Sequence, residues 1–183
     1  SKVKALMTVS NGLLKIGIDV RRVLFSEIIN GLGGNLRYII CGGAPLSPRL
    51  VWDFKSFGIE ICEGYGITEC SPLVAVNRHE KVRYRSVGQA VEDCEERIDK
   101  SSGEDTGEIQ VRGKNVMLGY YNDEESTKEV FTEDGWFRTG DIGYIDDDGY
   151  IYITGRKKNI IILSNGKNIF PEEIEEHLTA CPY

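Results

Sequence analysis

Residues 36 to 62 place the tightest constraint on the fold. LRYIIC is short and rich in β-forming residues, PLSPRLVWDFKSFG carries helix signals, and IEIC returns to a strand pattern. Ser47 stands where an N-cap belongs, Pro48 suits a first helical position, and Gly58 falls just past the last turn. Strand, helix and strand in so short a span make a βαβ unit, whose two strands run parallel with the helix crossing one face. The strand exits then become the places of interest. CGGAPLS leaves the first strand and EGYGITE the second, and open α/β sheets bind ligands in crevices outside the carboxyl ends of their strands.

Upstream, KVKALMTVSNGLLKIGIDVRRVLFSEIINGLGG sets Val23, Ile28, Ile29 and Leu32 at the spacing of an amphipathic helix, which Gly33 and Gly34 end in a left-handed cap. From about residue 73 the runs shorten and alternate. LVAVN, CEERID, GEIQVRG, GWFRTGD and GYIDDDGYIYITG read as an antiparallel β segment. One helix interrupts it over 122–130, where Asn122 and Glu125 have the spacing of a capping box. The tail KKNIIILSNGKNIF reads as two strands joined by an Asn-Gly turn, and PEEIEEHLTA as a helix opened by Pro171 and acidic residues that suit its positive end.

Composition narrows the class. With 183 residues, 40% hydrophobic and 28% charged, the chain reads as a soluble globular protein. The runs IIIL and PLVAV are far short of a membrane span, and the N-terminus lacks a basic segment followed by an apolar one. The net charge of −7 is spread along the chain and the one tight basic cluster is Arg156-Lys157-Lys158, so a nucleic-acid partner is not expected. The cysteines at 41, 62, 70, 94 and 181 are odd in number and lack C-x-x-C spacing, which fits free thiols in a reducing cytoplasm. His79 and His177 have no metal-ligand spacing to a cysteine or to each other, so no zinc is expected. Because the chain opens on Ser1 inside sequence that reads as structured, it is expected to be a segment of a longer protein.

Several short stretches carry residues suited to chemistry, each with a plainer alternative. GYGITE matches two glycines of a dinucleotide fingerprint but has Glu69 where the third belongs, so that reading fails. Its glycines permit close approach to a flat ring, Tyr65 offers a stacking face, the Thr68 hydroxyl can meet a phosphate oxygen, and Glu69 can hold Mg2+. A loop that needs glycine for steric reasons explains the same residues. GGAPLS is explained equally well by a tight turn before a helix. RTGD puts Asp141 in a loop before a strand, where its carboxylate can accept from a ribose diol or simply cap a turn. TGRKKN sets cations side by side, which suits either phosphate or open solvent. IDDDG lacks the spacing of a calcium loop and reads as a hairpin turn.

Taken in order, GGAPLSP, EGYGITE, GEIQVRG, GWFRTGD and DGYIYITGRKKNIIILSNGKNIFPEEIE resemble the adenylate-forming (AMP-binding) enzyme superfamily, most of all its long-chain fatty acid–CoA ligases. The resemblance runs from residue 23 to 178. It implies an α/β fold: a βαβ portion of the large N-terminal domain (about 36–72), an antiparallel β subdomain (about 73–155), and from 156 to 183 a hinge and the start of a small α+β C-terminal domain. Residues 1–155 then belong to the large AMP-binding domain.

The resemblance also implies roles. Adenine would lie between Gly43, Ala44 and Pro45 on one side and Gly64, Tyr65, Gly66 and Ile67 on the other. Thr68 would contact the α-phosphate and Glu69 support Mg2+, making these two the catalytic pair. Asp141 and Arg156 would hold the ribose hydroxyls, Ile153 would be an apolar neighbour of the nucleotide, Lys158 the hinge, and Gly166 a lining of the pantetheine path. The reaction implied joins a fatty acid to AMP with loss of pyrophosphate and then to CoA, with ATP, Mg2+ and CoA required. The family's phosphate loop and C-terminal lysine have no match here, so the isolated chain is expected to be inactive and to dimerise through exposed sheet edges. A carrier-loading ligase and a noncatalytic nucleotide-binding module are the rival readings. The parent is expected to be cytoplasmic, with peripheral membrane contact left open. Asn159 stands where relatives often carry an acid, which leaves the polar contacts of the hinge open.

Overall fold

The computed structural model describes residues 2–44, 46–101, 105–164 and 168–179. The chain starts with α1 (Lys2–Lys15), α2 (Arg21–Leu24) and α3 (Ser26–Gly31). The single helix expected across Val23 to Leu32 is therefore broken. At the break, Phe25 leaves helical geometry (φ −108°, ψ 27°) and is buried, its ring set edge-on to Phe57 at 5.0 Å. The glycine cap is present: Gly33 and Gly34 both have positive φ, and the Gly34 N–H donates to Ile29 O at 2.8 Å.

The βαβ unit forms as expected. β1 (Tyr38–Gly42) pairs in parallel with β2 (Glu60–Gly66), and α4 (Pro48–Ser56) crosses between them. Ser47 occupies the N-cap of α4 without a side-chain hydrogen bond, so Pro48 at the start and Gly58 (φ +84°) after the end carry the boundary information. The sheet then continues past the unit. β3 (Leu73–Val76) pairs antiparallel with β2, and β4 (Gln89–Ala90) with β3, giving the order β1-β2-β3-β4.

A second, antiparallel sheet follows in sequence order: β5 (Cys94–Asp99), β6 (Gly107–Gly113), β7 (Phe137–Ile145) and β8 (Ile151–Arg156). Between β6 and β7 lies α5 (Glu124–Val130), and here the cap differs from expectation. Asp123, not Asn122, caps the helix: its Oδ1 accepts from Ser126 N at 3.0 Å, while Asn122 takes a left-handed φ of 52°. IDDDG is the hairpin turn expected, with Asp146 Oδ1 accepting from the N–H groups of Asp148 and Tyr150. In the tail, β9 (Ile161–Ile162) and β10 (Asn168–Ile169) pair antiparallel before α6 (Pro171–Thr179). Their Asn-Gly turn lies outside the described residues.

The two larger sheets share one core. Tyr65, Cys70, Val74 and Ala75 from the first meet Cys94, Ile109, Val111, Phe137 and Ile151 from the second. Each large apolar side chain buried this way contributes about 1.5–3 kcal/mol. The seam is pinned at residues 86–88: Val87 N–H and the Ser86 hydroxyl both donate to Ile151 O, and Ile151 N–H donates to Gly88 O. No described helix is long and apolar enough to cross a membrane.

Candidate functional site

The most unusual local structure lies where β6 meets β7. Their register slips between Glu108 and Gln110, so Thr139, Gly140 and Asp141 bulge out of the ladder and their N–H groups need other partners. Each residue of the TGD motif then has a duty. Thr139 Oγ1 donates to Ile109 O at 2.7 Å and accepts from Asp141 N at 3.0 Å. Gly140 takes the left-handed φ of 73° that the bulge requires, and its N–H reaches Glu108 Oε1 at 3.2 Å. Asp141 is thus held inside a strand at a bulge, not in a loop before one as the sequence suggests.

Three of the expected site residues converge at this bulge. Asp141 and Arg156 are register partners across β7 and β8, and Arg156 Nε donates to Asp141 Oδ1 at 2.8 Å. Asp141 Oδ2 accepts from the Tyr65 hydroxyl at 2.6 Å, which ties the first sheet to the second. The carboxylate is buried while the Arg156 side chain remains 57% exposed. Burial raises the Asp141 carboxyl above the ordinary aspartate range, opposed by the Tyr65 hydrogen bond and the Arg156 charge. The Tyr65 hydroxyl is pushed up by burial first and by the neighbouring carboxylate second.

Tyr65 itself corrects the sequence reading. GYG is not a loop: Gly64, Tyr65 and Gly66 complete β2 and pair with β3. The Tyr65 ring sits in the shared core, only 6% exposed, so it does not present the open stacking face expected of it. The glycines have steric reasons here. A Cβ on Gly66 would stand 2.3 Å from Pro72 O, and one on Gly42, the register partner of Gly64, 2.4 Å from Gly64 O. Ile67 is half-buried against the same core, and its N–H donates to Pro72 O.

Beyond the strand, Thr68 and Glu69 enter a short 3-10 turn, Thr68–Cys70. Thr68 is exposed and Glu69 half-buried, with Glu69 Oε1 accepting from the Tyr120 hydroxyl at 2.9 Å. Gly43 and Ala44 are exposed at the exit of β1, next to the Gly42–Gly64 pairing. Ile153 lies on β8 at 36% exposure, and Lys158 is exposed in a 3-10 turn, Lys157–Asn159. Pro45 and Gly166 lie outside the described residues. A surface depression lined by Ile98, Lys100, Tyr144 and Asp147 includes none of these residues.

Three polar residues were not singled out from the sequence: Glu108, Thr139 and Tyr120. Glu108 is buried in GEIQVRG, where Gly140 N–H, Lys157 Nζ at 2.9 Å and Arg138 Nη1 at 3.8 Å surround its carboxylate. Strand alternation puts Glu108, Gln110 and Arg112 on one face, which reads as the solvent side. In the fold, residues 107–111 are buried on both faces. Asn159, left open by the sequence, donates to Glu172 Oε1 at 2.7 Å, a bond that an acid could not make while ionised.

Residues 3–121 match the family described as AMP-binding enzyme. The long-chain-fatty-acid–CoA ligase FadD15 of Mycobacterium bovis is 43% identical over 161 residues, 88% of this chain and 26% of the relative. The 2-succinylbenzoate–CoA ligase of Bacillus velezensis is 38% identical over 154 residues, 81% of this chain and 31% of the relative. Among solved structures, the O-succinylbenzoate coenzyme A synthetase of Bacillus subtilis in complex with AMP aligns at a TM-score of 0.75 and 30% identity, over 88% of this chain and 35% of that one. The chain thus spans about a quarter to a third of the length of these relatives. With a family match over more than half its length and relatives at this identity, the chain belongs to the AMP-binding enzyme family.

Proposed function

We propose that the chain is the adenine-and-ribose portion of an ATP-dependent acid–CoA ligase acting on long-chain fatty acids. In this reading the acid's carboxylate attacks the α-phosphorus of ATP, pyrophosphate leaves, and the acyl adenylate passes its acyl group to the thiol of CoA. The observation that carries it is the buried Asp141 carboxylate paired with the exposed Arg156 across β7 and β8. A stability role alone gives little reason to bury the Asp141 carboxylate, since taking a charge out of water is costly and an apolar residue serves a core as well. Each carboxylate oxygen keeps acceptor capacity after its one protein hydrogen bond, which fits a ribose diol.

The remaining roles follow the order of the site. Gly43, Ala44 and Pro45 would flank adenine opposite the end of β2. Thr68 would donate to the α-phosphate, stabilising charge that grows on its oxygens. Mg2+ is commonly held by one or two carboxylates plus phosphate oxygens, and the half-buried Glu69 suits that arrangement; the bound ion would offset charge on the phosphates. Ile153 would pack beside the nucleotide, Lys158 would serve as hinge, and Gly166 would line the route of the CoA arm. Relatives active on 2-succinylbenzoate and indoleacetate make an aromatic acid the second candidate substrate.

Carboxylate-dependent ATP–pyrophosphate exchange tests the reading, measured with the 183-residue chain and with the longer ligase proposed to contain it. Exchange by the longer protein that peaks with palmitate, with acyl-CoA appearing on addition of CoA and no turnover by the chain alone, is expected. A peak with an aromatic acid moves the substrate class, and an adenylate that CoA cannot discharge moves the protein to a carrier-loading branch. Absence of exchange with every acid overturns the ligase reading.

A further inference from the structure

We infer that Glu108 is a positioning residue of the nucleotide site, joining the bulge that carries Asp141 to the turn that follows Arg156. Its two carboxylate oxygens are divided between these elements. Oε1 accepts from the N–H of Gly140, one residue before Asp141, and Oε2 accepts from Lys157 Nζ, one residue after Arg156. Asp141 and Arg156 are themselves paired, so the four positions and Glu108 close a ring of contacts around the candidate ribose acceptors. The assignment rests on the proposed function of Asp141 and Arg156.

Gly140 lies in a bulge with φ of +73°, and its N–H reaches Glu108 in place of a ladder partner. Without Glu108 that donor loses its acceptor, and the bulge that aims Asp141 is free to relax. At the other end, Lys157 opens the turn containing Lys158, the proposed hinge, and its side chain is 54% exposed. A long, exposed lysine gains little from an ordinary surface ion pair. Here its partner is buried at 6% exposure and has Arg138 on a third side, so the pair fixes where β8 ends and the turn begins. The same carboxylate therefore sets the height of Asp141 and the direction in which the chain leaves Arg156.

Glu108→Gln separates the two halves, because its amide oxygen still accepts from Gly140 while the charge facing Lys157 is gone. Calorimetric titration with AMP, well below the melting temperature, should show Glu108→Gln and Lys157→Met each weakening affinity about tenfold, with the double variant no weaker than either single one. Additive losses would mean that Glu108 and Lys157 act apart and not through their contact, and melting shifts with unchanged AMP affinity would mean Glu108 is only structural; either overturns the inference. If the wild-type chain binds no AMP, the nucleotide reading fails on its own. The geometric part of the inference, that Glu108 holds the Asp141–Arg156 pair in place, is then decided by NMR: the Arg156 Nε–H and Asp141 amide signals should shift in Glu108→Gln and Lys157→Met alike, and unshifted signals overturn it.

Discussion

The β2–β3 pair and the β7–β8 pair both carry motif residues, yet their unusual residues answer different demands. Around β2 two glycines are required by packing: a Cβ on Gly42 of the neighbouring β1 would meet Gly64 O at 2.4 Å, and one on Gly66 at the end of β2 would meet Pro72 O at 2.3 Å. In β7 and β8 the polar residues are costly to the fold. A buried aspartate, a tyrosine hydroxyl directed at it and an arginine beside it are held by a bulge whose amides need Thr139 and Glu108. Sequence motifs can thus mark steric necessity in one place and a costly buried polar network in another.

Breaking the packing side should produce the largest change in stability. Gly66→Ala forces Pro72 away from β2, and about 3 kcal/mol of destabilisation is expected, read as a fall in the urea midpoint. Unchanged unfolding would show that the close approach is not needed. Next comes the bulge. Thr139→Val leaves the Asp141 N–H without its acceptor and Ile109 O without its side-chain donor, which should cost about 1–3 kcal/mol and also weaken AMP binding. A stability loss with intact binding would detach the bulge from the site.

The subtlest expected effect is on pH. The Asp141 carboxyl is raised by burial above the ordinary aspartate range, so within that window the folded state holds a proton that the unfolded chain has released. Its contribution to stability therefore declines as pH rises from the ordinary value through the raised one. Nucleotide affinity should move the opposite way, since only the ionised carboxylate accepts from both ribose hydroxyls. AMP affinity that falls on acidification, starting above the ordinary aspartate range, supports the assignment, and a flat profile there argues against it.

These contrasts also show what a sequence can disclose. The βαβ unit was legible because Pro48, Gly58 and the flanking apolar runs are local signals, and local signals set where elements start and stop. Asn122 and Asp123 could not be told apart as caps, because both side chains cap helices and asparagine also tolerates the left-handed conformation it adopts here. GYG read as a loop because glycine is a turn signal, whereas in the fold these residues finish a strand paired with β1 and β3. Glu108 was hidden for a similar cause: strand alternation assigns it to solvent, and only the packing of both faces of β6 reveals a buried acid. Asp141 and Arg156 are both marked by sequence motifs and the structure pairs them across β7 and β8, but the Tyr65 bond that joins them to the first sheet depends on tertiary structure alone.

Calorimetric titration of the chain with AMP, compared with the same titration of Asp141→Ala, asks whether the Asp141 carboxylate holds the ribose. Saturable binding by the wild type that the variant loses is expected, while the variant's melting temperature stays within about 5 °C of the wild type. Equal binding by both proteins, or none by either up to about millimolar nucleotide, would contradict the claim that the Asp141–Arg156 pair is a prepared ribose site.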